Sequence, residues 1–204
     1  MKQNKEQKIH KIKEELLNFK RSPLYEYRTR NNYLPVVGEG NLEAEVMIVG
    51  EAPGKDEAEQ GRPFVGSAGK ILDEVLNKIG LERKKIYITN LVNDRPPENR
   101  TPNKEETELY SPFLMRQIRI IKPKIIVTLG RVPTDFILKE YSLSRKADSM
   151  ANLHGKIFSV NSLEGKIFII PMYHPAAVLY QPSIKYTLED DTQTLKKKLQ
   201  SMKR

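Results

Sequence analysis

Three stretches of this chain place recognising or reacting side chains directly after short apolar runs. The first, Gly50 to Gly69 (GEAPGKDEAEQGRPFVGSAG), is dense in glycine and acid. Its glycines let a backbone approach a flat ligand closely, and Phe64 offers a ring to stack on it. A phosphate cradle is disfavoured, because G-x-x-x-x-G-K-[ST] is absent and Glu51, Asp56, Glu57 and Glu59 would repel a pyrophosphate. Taken alone, the stretch is also readable as a surface loop whose Phe64 caps the core. The second stretch, IYITN, ends at Asn90. Its amide can pair with a donor–acceptor edge, as asparagine does with adenine, or close an Asx turn. The third, MYHPAAVL, holds His174 ahead of the rigid Pro175. An imidazole there can donate to negative charge developing on a substrate oxygen, although a lone histidine is often plain structure. A fourth stretch, RPPENRTP, stiffens Arg95 and Arg100 between prolines and buries nothing apolar. It suits a rigid crossover or contact with backbone phosphates.

The elements that must position these residues are legible around them. Residues 5–19 put Ile9, Ile12, Leu16 and Phe19 at helical spacing, which predicts an amphipathic helix. Pro23, Pro35, Gly38 and Gly40 mark an irregular connection. The runs 45–50 (EVMIVG), 86–91 (IYITNL) and 124–130 (KIIVTLG) are short, apolar and β-branched, as buried parallel strands are. Residues 66–80 carry Ile71, Leu72, Val75, Leu76 and Ile79 on one helical stripe closed by Gly80. Further helices are expected from Thr101–Pro102 to about Ile121, over 131–141, and over 187–204. Residues 156–160 and 166–170, around a turn at 161–165, predict a hairpin that joins the sheet. Alternating strands and helices imply a three-layer α/β/α sandwich around a mainly parallel, four-stranded sheet, with the site at the carboxyl ends of the strands. The loops after Gly50, Asn90, Gly130 and Pro171 leave those ends.

Composition narrows the chemistry. The 204 residues are read as one domain, 1–204, with the N-terminal helix (5–20) packed on it. There is no cysteine, which removes disulfides, thiolate metal sites and thiol nucleophiles. Three histidines (His10, His154, His174) are too few for a histidine-rich metal centre, and no metal or cofactor is expected. No run approaches the ~18 apolar residues of a membrane span, and the charged N-terminus is unlike a signal. A cytoplasmic protein is therefore expected. Lys+Arg number 35 against 26 Asp+Glu, a surplus of +9 that favours polyanions, nucleic acid first.

Together the loops resemble the uracil-DNA glycosylase superfamily, most closely its family 4. That family carries GE[AG]PG followed by GRPFVG, an internal ITN and a late HP-containing loop. Here these stand at Gly50–Gly54, Gly61–Gly66, Ile88–Asn90 and His174–Pro175, and the likeness runs from about Phe19 to the last helix. The resemblance implies a monomeric repair enzyme acting on uracil in single- or double-stranded DNA. It would flip the uracil nucleotide and hydrolyse its glycosidic bond, leaving an abasic site. Phe64 would stack on uracil, Asn90 pair with its edge, amides near Glu51 and Ala52 hold a carbonyl oxygen, and His174 stabilise the departing anion. Family 1 has an aspartate where Ala52 stands, so Glu57 becomes the residue expected to order water or exclude thymine's methyl group. Arg95 and Arg100 would meet phosphates, and Val178 with Leu179 would wedge into the opened stack. A non-catalytic uracil- or DNA-binding module on the same fold is the alternative, and an acyl- or phosphoryl-transfer enzyme lacks its G-x-S-x-G or Walker motif.

One departure matters. Family 4 holds an iron–sulfur cluster on four cysteines whose positions match Phe19, Ser22, Asp94 and Tyr110. The expectation is that the two rings pack together while Ser22 and Asp94 form hydrogen bonds or meet an arginine such as Arg21 or Arg95.

Overall fold

The structure, a computed structural model, describes residues 2–143, 148–162 and 165–202. Helix α1 (Lys2–Leu17) and the short α2 (Tyr25–Arg30) precede strand β1 (Glu39–Gly40). Then follow β2 (Val46–Gly50), α3 (Lys55–Gln60), α4 (Ser67–Lys78), β3 (Tyr87–Asn90), α5 (Lys104–Ile121), β4 (Ile125–Leu129) and α6 (Arg131–Glu140). The chain closes with α7 (Met150–Leu153), β5 (Phe158–Ser162), β6 (Gly165–Met172), α8 (Ala177–Tyr180) and α9 (Ile184–Ser201). Single 3₁₀ turns lie at Arg83–Lys85 and Pro97–Asn99.

The sheet has six strands in the order β1-β3-β2-β4-β6-β5, not the expected four. The central four, β3, β2, β4 and β6, are parallel, and β1 and β5 add to the two edges antiparallel. The extra strand at the β3 edge is only two residues long and lies in the stretch taken as irregular. The hairpin forms as expected, but its strands reach further, to Ser162 and from Gly165, and residues 163–164 of the expected turn lie outside the described residues.

Alternation along the strands builds two apolar layers, since successive side chains leave a strand on opposite faces. Val46 and Ile48 meet Leu72, Val75 and Leu76 of α4 and Leu188 and Leu195 of α9. Met47 and Val49 meet Ile12 and Leu16 of α1, Leu114 and Ile118 of α5, and Ile137 of α6. Each such fully buried side chain contributes about 1.5–3 kcal/mol relative to leaving it exposed. Helix α5 starts later than the Thr101–Pro102 signal implied. Asn103 is the cap, its Oδ1 accepting from the Glu106 amide at 2.8 Å while Glu106 Oε2 accepts from the Asn103 amide at 2.9 Å. This reciprocal pair outcompetes the threonine two residues earlier.

Candidate active site

The register Gly50↔Asn90 puts the first two signature residues side by side at the carboxyl ends of β2 and β3. A cleft of ≈ 530 Å³ opens there. Strand order reverses beside β2, where β3 lies on one side and β4 on the other, and crevices at such switch points bind ligands in open α/β sheets. Glu51, Ala52, Glu57, Phe64, Asn90 and His174 all line this cleft. A Cβ on Gly50 would lie 2.3 Å from Asn90 Oδ1 and 2.8 Å from the Phe64 ring, so only glycine lets these side chains converge.

Phe64 is 6% exposed and sits at φ +50°, a left-handed conformation rare for a ring-bearing residue. Such strain costs about 1–3 kcal/mol and persists only where neighbours impose it. Here two latches do so. Glu57 Oε1 accepts from the amides of Val65 at 2.9 Å and Gly66 at 2.8 Å. The Arg83 guanidinium donates to the Phe64 carbonyl at 3.0 Å and also to the Pro63 carbonyl. Glu57, on helix α3 where the sequence predicts no helix, thus anchors the Phe64 turn through one oxygen, while its Oε2 accepts no hydrogen bond among the described residues.

His174 stacks on Phe64 with ring centroids 5.7 Å apart and planes 30° apart. Its Nδ1 accepts from the Ala176 amide at 3.2 Å, which leaves the neutral ring's proton on Nε2. Burial lowers its pKa to about 4, so the ring is a neutral donor at physiological pH. Asn90 is 2% exposed, and its side chain lines the cleft with Oδ1 turned toward Gly50. Burial raises the Glu51 carboxyl above its ordinary range, with a hydrogen bond from Thr101 working against it.

The residues expected to meet DNA separate. Arg100 lines the cleft, but its guanidinium is held by the buried Glu106 at 2.8 and 2.6 Å. Arg95 stands outside the lining, donating to Asn99 Oδ1 and the Tyr33 hydroxyl, both at 2.7 Å. Val178 and Leu179 part company as well. Adjacent positions on the turn of α8 point to different sides, so Val178 packs into the apolar layer while Leu179 is 52% exposed at the cleft. Tyr180 beside it is 89% exposed and also lines the cleft. Tyr180 is not among the residues the sequence singles out, since an exposed aromatic has no periodic signature.

The positions matching the four cluster ligands do meet. Phe19 and Tyr110 pack edge to face with centroids 5.4 Å apart. The Tyr110 hydroxyl lies 2.5 Å from Asp94 Oδ2 and 2.7 Å from Ser22 Oγ. Its single proton goes to the carboxylate, and the serine hydroxyl donates to it in turn. The arginine is neither Arg21 nor Arg95. It is Arg28, donating to Asp94 Oδ1 at 3.3 Å and to the carbonyls of Leu16 and Leu17 at 2.7 Å each, where α1 runs out of partners. These residues do not fit an iron–sulfur cluster. None is a thiolate, and two of the four positions are taken up by the wholly buried Tyr110 ring and by Asp94 paired with the buried Arg28.

The comparisons with known proteins agree with the geometry. Residues 37–200 match the description "Uracil DNA glycosylase superfamily". The chain is 47% identical to a "Type-4 uracil-DNA glycosylase" of Sulfurisphaera tokodaii, over 90% of this chain and 81% of that protein. It is 40% identical to a type-4 relative from Pyrobaculum aerophilum, over 91% and 90%. A "Type-5 uracil-DNA glycosylase" of the latter organism is more distant, at 31% over 70% and 66%. With the strand-end cleft, the stacked Phe64–His174 pair and these likenesses in agreement, the chain belongs to the uracil-DNA glycosylase superfamily.

Proposed function

We propose that this uracil-DNA glycosylase draws a uracil nucleotide out of the DNA stack into the Phe64–Asn90–His174 cleft and hydrolyses its N-glycosidic bond there. Phe64 stacks on the flipped ring, and the Asn90 amide pairs with its polar edge. The amides of Glu51 and Ala52 hold a carbonyl oxygen at the end of β2. As the bond from C1′ to N1 breaks, the electron pair leaves with uracil, and negative charge spreads onto its oxygens. The neutral His174 Nε2–H donates to that charge, water adds its oxygen to C1′, and the proton it loses ends on the released uracil. A preformed donor in a water-poor site typically contributes ~10²–10³ in rate. Glu57 positions Phe64 through Oε1 and orders water through Oε2. Leu179 fills the vacated stack, with Tyr180 beside it, and the positive surplus draws in the phosphate backbone.

The observation that carries this reading is the stacked Phe64–His174 pair beside Asn90 in one strand-end cleft. An amide at the cleft surface can offer both a donor and an acceptor to a base edge. The test is release of free uracil from a uracil-containing oligonucleotide in molar excess over protein. Many equivalents of uracil are expected, and none from thymine or cytosine oligonucleotides. Tight binding without release would establish the binding-module alternative instead.

A further inference from the structure

A carboxylate lies buried next to the His174 loop yet outside the cleft. Asp191 of α9 is 3% exposed, and burial raises its pKa while His154 opposes the rise. Its Oδ1 lies 2.9 Å from His154 Nδ1, and its Oδ2 is buried without a hydrogen-bond partner among the described residues. The main-chain amide of Tyr173, the residue before His174, faces the same carboxylate. The His154 ring in turn packs on the Tyr173 ring, centroids 4.9 Å apart. Gly155 closes the arrangement. Its φ is +67°, a Cβ there would lie 2.6 Å from Asp191 Oδ1, and its amide donates to the Pro171 carbonyl at 2.9 Å near the end of β6.

Helix α9 does not need this carboxylate to dock. Leu188 and Leu195, both 0% exposed, already hold it against the sheet. A buried, half-satisfied charge is a costly way to hold a helix, and an apolar side chain would usually serve as well or better. What the carboxylate reaches, and an apolar side chain could not, is the main chain preceding His174 and the His154 ring that packs on Tyr173.

We propose that Asp191, through His154 and the Tyr173 main chain, is a positioning residue that fixes the His174 imidazole against Phe64. The proposal rests on the glycosylase reading of the cleft. It adds that the geometry of the donor is set from α9, on the opposite side of the loop from the substrate. A displacement of about 1 Å at such a donor can cost ~10²-fold in rate.

The test compares Asp191→Ala, Asp191→Asn and a control, Leu188→Ala, which loosens the same helix without touching the network. Three quantities are read well below each melting temperature: single-turnover cleavage of a uracil oligonucleotide, affinity for that DNA, and the NMR titration of the His174 ring without substrate. Asp191→Ala is expected to lose roughly 10–100-fold in the cleavage step with DNA affinity within about twofold. Its His174 midpoint should move from about 4 toward the ordinary value as the ring loosens into water. Asp191→Asn keeps an acceptor in place and should recover most of both. Leu188→Ala should lower the melting temperature while leaving rate and titration close to the parent's. An Asp191→Ala protein with parental rate and titration, or a Leu188→Ala protein with the same losses, overturns the proposal. The ring titration needs no substrate, so it decides the positioning claim even if the parent released no uracil, an outcome that would sink the glycosylase reading instead.

Discussion

Tyr110→Phe removes one oxygen from the buried network that ties α1, the loop after β3 and α5 together. In the parent, that hydroxyl donates to Asp94 Oδ2 at 2.5 Å and accepts from Ser22, in a site where Tyr110 and Asp94 are both 0% exposed. Without it, a buried carboxylate oxygen and a buried serine hydroxyl both lose a partner, which costs about 1–3 kcal/mol. For a protein of this length, 1 kcal/mol corresponds to about 2–4 °C, so the melting temperature should fall by about 2–12 °C. Asp94→Ala goes further, because it leaves the 3%-exposed Arg28 guanidinium without its carboxylate, a loss of about 3–5 kcal/mol. Phe19→Ala should cost less than Tyr110→Ala, since Phe19 is only partly buried whereas Tyr110 is enclosed. Urea unfolding of Tyr110→Phe, Asp94→Ala and the double variant measures all of this, and the two changes should fall short of additive by at least about 0.5 kcal/mol. A Tyr110→Phe protein melting within a degree of the parent, or strictly additive losses, would refute the idea that this network joins the three segments.

Other outcomes follow from the cleft. Asn90→Asp puts an acceptor where a donor must meet uracil's edge and should lower uracil cleavage by roughly 10⁴-fold; parental turnover would leave Asn90 a turn residue only. The rate should show no ionisation near 6.5 and fall only as the pH approaches about 4, because His174 is held neutral by burial. Stability follows the same depressed value: it is complete above the unfolded histidine's pKa near 6.5 and is lost as pH falls toward 4. The loss amounts to about 3 kcal/mol over that window, measurable by denaturant melts at stepped pH. Affinity for duplex DNA should fall with salt at a slope of about −0.9 per phosphate contact, and a flat dependence would mean that the +9 surplus merely solvates the surface.

The elements that positioned the site were legible because their signals are local. The apolar runs of β2, β3 and β4 and the stripe of α4 are periodic over enough residues to stand out. Strand β1 is two residues on an edge, too short for any pattern, and α3 is a charged helix with Ala58 alone buried, so neither announces itself. The cleft residues were visible as types at strand ends, but their division of labour was not. That Glu57 latches the Phe64 turn depends on two amides brought to it by a left-handed residue. Arg28 meets Asp94 across 66 positions, a pairing that only the folded chain creates, and Val178 and Leu179 part because of a helical turn that four residues barely signal.

His174 is the side chain whose removal bears most directly on the chemistry. Single-turnover cleavage of a uracil-containing oligonucleotide, followed in EDTA as alkali-labile strand breaks, should proceed with the parent protein. It should slow by ~10²–10³ in His174→Ala, while that variant stays folded and binds the DNA as before. A slowing of less than about tenfold would contradict the donor role on which the account rests.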